Sequence, residues 1–119
     1  MQTLEQKKLI NVLSDFVTEC KTVFNEILCD VRLFGSYARG DHNEDSDIDI
    51  MVILDVSVAE VGRFRHDICR IAAAIELKYN VSISPVLYGQ EEYDSRKSFG
   101  FCKNVETEGV SQYVGQAYA

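Results

Sequence analysis

Absences narrow the field first. The 119-residue chain carries one proline, Pro85, and no internal repeat, low-complexity tract or linker, so a single domain is expected over residues 1–119. No apolar run approaches the roughly 18 residues of a membrane span; the longest, such as Ile50 to Leu54, are strand-sized. The opening residues Met1 to Lys8 are polar and lack the apolar segment of a secretory leader, which predicts a cytoplasmic protein. Cys20, Cys29, Cys69 and Cys102 are scattered, with no CxxC spacing and no histidine at ligand spacing; reduced thiols acting as small hydrophobes are expected. His42 and His66 are isolated and suit surface or capping roles. Positive charge is in deficit, with 12 Lys and Arg against 19 Asp and Glu for a net charge of −7. That excludes direct duplex nucleic-acid binding through counterion release. A phosphate-bearing small molecule held through a divalent metal remains compatible.

What is present suits a packed fold. Six Phe, six Tyr and 46% hydrophobic residues exclude disorder, and a chain of roughly 120 residues buries about two-thirds of its unfolded surface. Leu9, Val12, Phe16 and Val23 sit beside a second row of Ile10, Leu13, Val17, Cys20, Phe24 and Ile27. Their steps of three and four predict an amphipathic helix from about Thr3 to Glu26, with Thr3 and Gln6 spaced as a capping box. Ile27 to Phe34 reads as a strand halted by Gly35, and Gly40 to Ser46 is a polar loop. Asp47 to Leu54 alternates cleanly, with Ile48, Ile50, Val52 and Leu54 on one face. Val61, Phe64, Ile68, Ile71 and Ile75 predict a second long helix, Val58 to Tyr79, ending at Asn80. Val81 to Leu87 is a third strand in which Pro85 marks an edge or exit position. Gln90 to Ser98 suits a short helix, and the pattern beyond it sets no element. Two apolar helices need a sheet to cover, so the expected class is α/β (α+β): a two-layer domain, its mixed β-sheet covered by two long helices. The core falls at about 3–87, with 88–119 a C-terminal extension.

Between Phe34 and Val52 three features fit one chemistry. Gly35-Ser36 directly after a strand allows a sharp turn whose amides and hydroxyl approach an anion. Arg39 adds a planar fork of donors suited to phosphate. Asp47 and Asp49, two apart on a strand, project from one face with Cα atoms roughly 6.5 to 7 Å apart. Such carboxylates repel each other unless a cation bridges them, and Mg²⁺ binds through one or two carboxylates plus substrate phosphates. Together these residues would hold a nucleoside triphosphate and present its α-phosphorus. Asp41, Glu44 and Asp45 read as solvated loop charges.

Phe34-Gly35-Ser36-Tyr37-Ala38-Arg39-Gly40-Asp41 followed by Ser46-Asp47-Ile48-Asp49-Ile50-Met51-Val52 resembles the signature of the DNA polymerase β-like nucleotidyltransferases. Within that superfamily the chain is similar to the minimal nucleotidyltransferases of the kanamycin nucleotidyltransferase type. The resemblance runs to about Leu87, with a softer match at Asn104-Val105-Glu106 and Glu108-Gly109-Val110. It implies that Asp47 and Asp49 are catalytic and ligate Mg²⁺, and that Gly35, Ser36 and Arg39 bind the triphosphate, most naturally of ATP. The implied reaction transfers a nucleoside monophosphate to an acceptor hydroxyl on a small molecule or partner protein and releases pyrophosphate.

The resemblance also exposes a departure. Active members carry a third carboxylate on the strand after the long helix, where this chain has Val81-Ser82-Ile83-Ser84-Pro85-Val86. Ser82 or Ser84 occupies its place, leaving Asp55 or a partner to substitute, or else a slow or inactive nucleotide-binding module. Some minimal members act as antitoxins paired with a small helical protein, and self-association is also compatible. Tyr113-Val114-Gly115-Gln116-Ala117-Tyr118 is a candidate interface segment.

Overall fold

The computed structural model describes residues 3–115; Gln116 to Tyr118 of the candidate interface segment lie outside them. The first helix, α1 (Leu4–Phe24), opens on the expected capping box: the Thr3 hydroxyl accepts from the Gln6 amide (3.1 Å), and the Thr3 amide donates to the Gln6 side chain (2.8 Å). Val12, Leu13, Phe16, Cys20 and Phe24 are buried along one stripe, whereas Ile10 and Val23 of the predicted rows face solvent. Burial pushes the Cys20 thiol up to about 12, as befits an inert core cysteine.

Strands β1 (Leu28–Phe34) and β2 (Ile48–Leu54) pair antiparallel. The four-residue helix α2 (Ser36–Arg39) and a polar loop join them. The second long helix is interrupted: α3 (Val58–Val61) passes through a 3₁₀ turn at Gly62–Phe64 before α4 (Arg65–Tyr79). Gly62 weakens helical continuity there, and Phe64 turns in to meet Phe24 edge-on, ring centroids 6.0 Å apart. This crossover returns the chain to β3 (Ile83–Gly89), parallel to β2. Pro85 sits within β3 without ending it, tolerated because β3 is an edge strand.

The C-terminal stretch supplies α5 (Gln90–Arg96), α6 (Gly100–Glu108) and β4 (Val110–Val114). Strand β4 joins β1 antiparallel, giving the sheet order β3-β2-β1-β4 and the mixed α+β architecture expected from sequence. Helices α1 and α4 cover one face over Val31, Leu33, Ile50, Val52 and Leu54. Tyr93 of α5 and Cys102 and Val105 of α6 cover Cys29, Phe34, Met51 and Ile53 on the other. A polar cluster pins α6 to β1: Arg32 bridges Asp30 (2.9 Å) and Glu106 (3.1 Å), and the Tyr93 hydroxyl donates to Glu106 (2.5 Å). Among the described residues, no helix is long and apolar enough to cross a membrane.

Helices α1 and α4 are also stitched by charge. Asp15 accepts from Lys78 (2.7 Å) and from the Tyr79 hydroxyl (2.6 Å), and these bonds hold its carboxyl below the usual range. A folded-state pKa below the unfolded value contributes stability above the unfolded value, lost as pH falls through the folded one. Asp15→Asn should therefore lower the melting temperature at pH 7, and the gap from the parent should begin to narrow at about pH 4 and shrink further as pH falls. Thermal melts across pH 2–7 test this; a constant gap refutes it.

Candidate phosphate and metal site

The end of β1 is built around one glycine. Gly35 adopts φ 75° and ψ −154°, a conformation that suits only a residue without Cβ. Its carbonyl accepts from the Ala38 (3.1 Å) and Arg39 (3.0 Å) amides, closing α2 into a single turn. Gly40, in the left-handed region at φ 85°, ends that turn and returns its N–H to the Ser36 carbonyl (2.8 Å). Amides that open a helical turn have no partner within it, so those of Ser36 and Tyr37 face outward to an external acceptor.

Asp49 lies directly against this turn. It pairs in register with Phe34, and a Cβ on Gly35 would run into Asp49 Oδ2. Asp49 is half-buried; Asp47, just before β2, is exposed. Burial raises the Asp49 carboxyl above its ordinary range, the Asp47 charge raises it further, and Arg39 opposes both. The fold therefore brings Gly35, Ser36, Asp47 and Asp49 to one end of the sheet. Arg39 is close enough to act on Asp49, but its guanidinium is clamped by Asp41 (3.1 Å) and Glu108 (3.0 Å).

Strand β3 carries Ser84 in register with Asp49, on the same sheet face. Ser82, one residue before β3, is exposed and accepts the Ile48 amide through its carbonyl (2.8 Å). Asp55 cannot supply the third acid, because it follows the far end of β2, about 20 Å along the strand from Asp49. Among the described residues no group of three or more His, Cys, Asp or Glu is arranged to hold a metal ion. The donor set is thus an aspartate pair beside a glycine turn that offers backbone amides, and it fits a divalent cation that brings phosphate oxygens as its remaining ligands.

Two contributors escaped the sequence reading. Asp41 is exposed as expected, yet it holds Arg39 rather than standing alone, and Glu108 reaches the same guanidinium from α6. The Glu108-Gly109-Val110 match was the one available signal for the latter. Glu44 and Asp45 are exposed, as is His66. His42 stacks on Tyr37 with centroids 4.0 Å apart, its Nε2 3.1 Å from Glu5 Oε1. Beside Asp47 a cleft of about 660 Å³ opens between the start of α1, residues 44–48 and the turn at Asn80–Ser82.

The overall fold is shared with solved structures of other proteins. A solved structure provisionally assigned as a minimal nucleotidyltransferase superposes with a TM-score of 0.60 at 24% identity, covering 87% of this chain and 92% of that one. A toxin–antitoxin crystal structure with AMP-PNP contains a chain that matches at TM-score 0.54 and 22% identity, over 93% of this chain and 74% of that one. The chain belongs to the nucleotidyltransferase domain family, whose model matches residues 8–108. A Methanocaldococcus jannaschii protein that carries the provisional name protein adenylyltransferase MJ0141 is 34% identical over 103 residues, 87% of this chain and 97% of its own length.

Proposed function

We propose that this nucleotidyltransferase is Mg²⁺-dependent and transfers AMP from ATP to a hydroxyl of an acceptor polypeptide, releasing pyrophosphate. The observation that carries this reading is the contact of the Gly35 turn with Asp49, which sets an anion-binding backbone against a carboxylate pair. The adenylyltransferase name of the relative and the AMP-PNP of the structural neighbour support adenine and a protein acceptor. The toxin–antitoxin likeness supports a partner protein, for which the family resemblance implies a small helical chain.

In this reading the Gly35-Ser36 turn binds the triphosphate through backbone N–H groups and the Ser36 hydroxyl. Asp47 and Asp49 hold the ion. Bound there, Mg²⁺ would neutralise the charge that develops as the acceptor oxygen bonds to the α-phosphorus and the bond to pyrophosphate breaks. Arg39, held near Asp49 by Asp41 and Glu108, lends positive charge to the phosphates. With ATP labelled at the α-phosphate, the polypeptide acceptor should become labelled, and EDTA should prevent it. Label arriving instead from the γ-phosphate overturns the assignment.

Ser84 favours a second reading, a nucleotide-binding partner module with slow or no turnover, because an uncharged hydroxyl stands in register with Asp49. The two are separated by Ser84→Asp. A third carboxylate there should raise the transfer rate at least about tenfold at saturating Mg²⁺, and lower the melting temperature of the metal-free protein through like-charge repulsion. An unchanged rate together with high parental turnover shows that the serine is no handicap.

A further inference from the structure

We propose that the cleft beside Asp47 is the acceptor subsite and that it selects a cationic segment, a hydroxyl side chain flanked by Lys or Arg. The proposal rests on the nucleotidyl-transfer reading and names the substrate class for that site. The strand order places β2, with its two aspartates, between β1 and β3. The phosphate turn extends from β1, whereas the cleft reaches Asn80, Val81 and Ser82 on the β3 side. Asp47 and Tyr37 of α2 border it, while Gly35, Ser36 and Asp49 do not line it, so the cleft adjoins the phosphate turn without including it. In-line displacement requires the nucleophile to approach opposite the leaving pyrophosphate. A nucleotide seated on the Gly35-Ser36 turn leaves the cleft as the approach for the attacking oxygen.

Charge decides what enters. With Asp47 given to the ion, Glu5, Glu44 and Asp45 border the cleft against Lys8 alone, a formal charge of −2. That field repels a triphosphate and attracts a cation. Leu9, Val12, Ile48 and Val81 form an apolar floor able to cover the methylene stem of a lysine or arginine while its head meets the acids. A volume of about 660 Å³ accommodates a few side chains rather than a folded surface.

The test uses the full chain and synthetic peptides bearing one tyrosine flanked by lysines, glutamines or glutamates. Phe-for-Tyr versions serve for calorimetry, so that binding is read without transfer. The lysine peptide should bind about 10–100-fold more tightly than the glutamate peptide at low salt, and the preference should shrink at 0.5 M NaCl. Glu44→Gln with Asp45→Asn, both in an exposed loop, should weaken lysine-peptide binding about 3–10-fold while leaving affinity for a Mg²⁺–ATP analogue unchanged. Equal affinity for the three peptides overturns the subsite, whether or not transfer is observed. Charge-selective binding with no label transfer to the tyrosine peptides, and no Mg²⁺–nucleotide binding, instead overturns the catalytic reading on which the subsite rests.

Discussion

Asparagine in place of Asp47 or Asp49 should reduce nucleotidyl transfer by about 10³-fold or more, with no loss of thermal stability. The functional half follows from the donor set: Asp47 and Asp49 are the two carboxylates the site offers a metal ion, and among the described residues no third acid stands in register with Asp49 on the neighbouring strands. Removing one forfeits metal affinity and the charge neutralisation that an in-line displacement depends on, several kcal/mol in similar sites. The stability half follows from Asp49 itself. Burial and the neighbouring Asp47 charge push its carboxyl pKa up, so the ionised form is disfavoured in the folded, metal-free protein. A neutral amide of the same shape removes that repulsion, and Asp49→Asn should melt at or above the parental temperature. Melting curves with and without Mg²⁺–ATP make the contrast visible: the parent gains from ligand and the variant does not. A variant that loses activity only because it unfolds would contradict this account.

Gly35→Ala should instead damage fold and activity together. The added methyl meets a backbone held at φ 75° and ψ −154°, and it meets the Asp49 carboxylate. Backbone strain of this kind and the displaced carboxylate cost about 2–4 kcal/mol, a fall in melting temperature of roughly 10 °C. Transfer should be lost in the fraction that remains folded, since the turn and its nearest aspartate can no longer share the same space. The double variant Gly35→Ala, Asp49→Ala separates the two effects, because it relieves the collision with the carboxylate oxygen but not the dihedral strain. It should recover part of the stability and none of the activity. Full recovery would mean the backbone conformation costs nothing.

Local patterns account for what could be read from the sequence. The Thr3–Gln6 cap, the apolar stripe of α1 and the alternation of β2 are each written within a few residues, and each is found in place. Gly35, Ser36, Asp47 and Asp49 were legible for the same reason: they lie on two consecutive strands joined by a short loop. The break at Gly62–Phe64 was masked because Val61, Phe64 and Ile68 keep helical spacing across it. The C-terminal elements carry too few buried residues to betray a period; α6 buries only Cys102 and Val105, and β4 is exposed at three of its five residues. Glu108 meets Arg39 across 69 positions, a distance at which no spacing rule operates.

The pairing of β4 with β1 has a kinetic corollary. Its register joins Asp30 to Val114, so the strand that completes the sheet closes a loop of more than eighty residues. The β1–β2 hairpin and the β2–β3 crossover can condense from nearer neighbours, whereas this closure bears the larger entropic cost. Glu108 lies beside that last strand, so its arm of the Arg39 clamp closes only as these long-range contacts form, whereas the Asp41 arm is local. An ensemble caught before that step would hold the core of the fold with the guanidinium tethered at Asp41 alone.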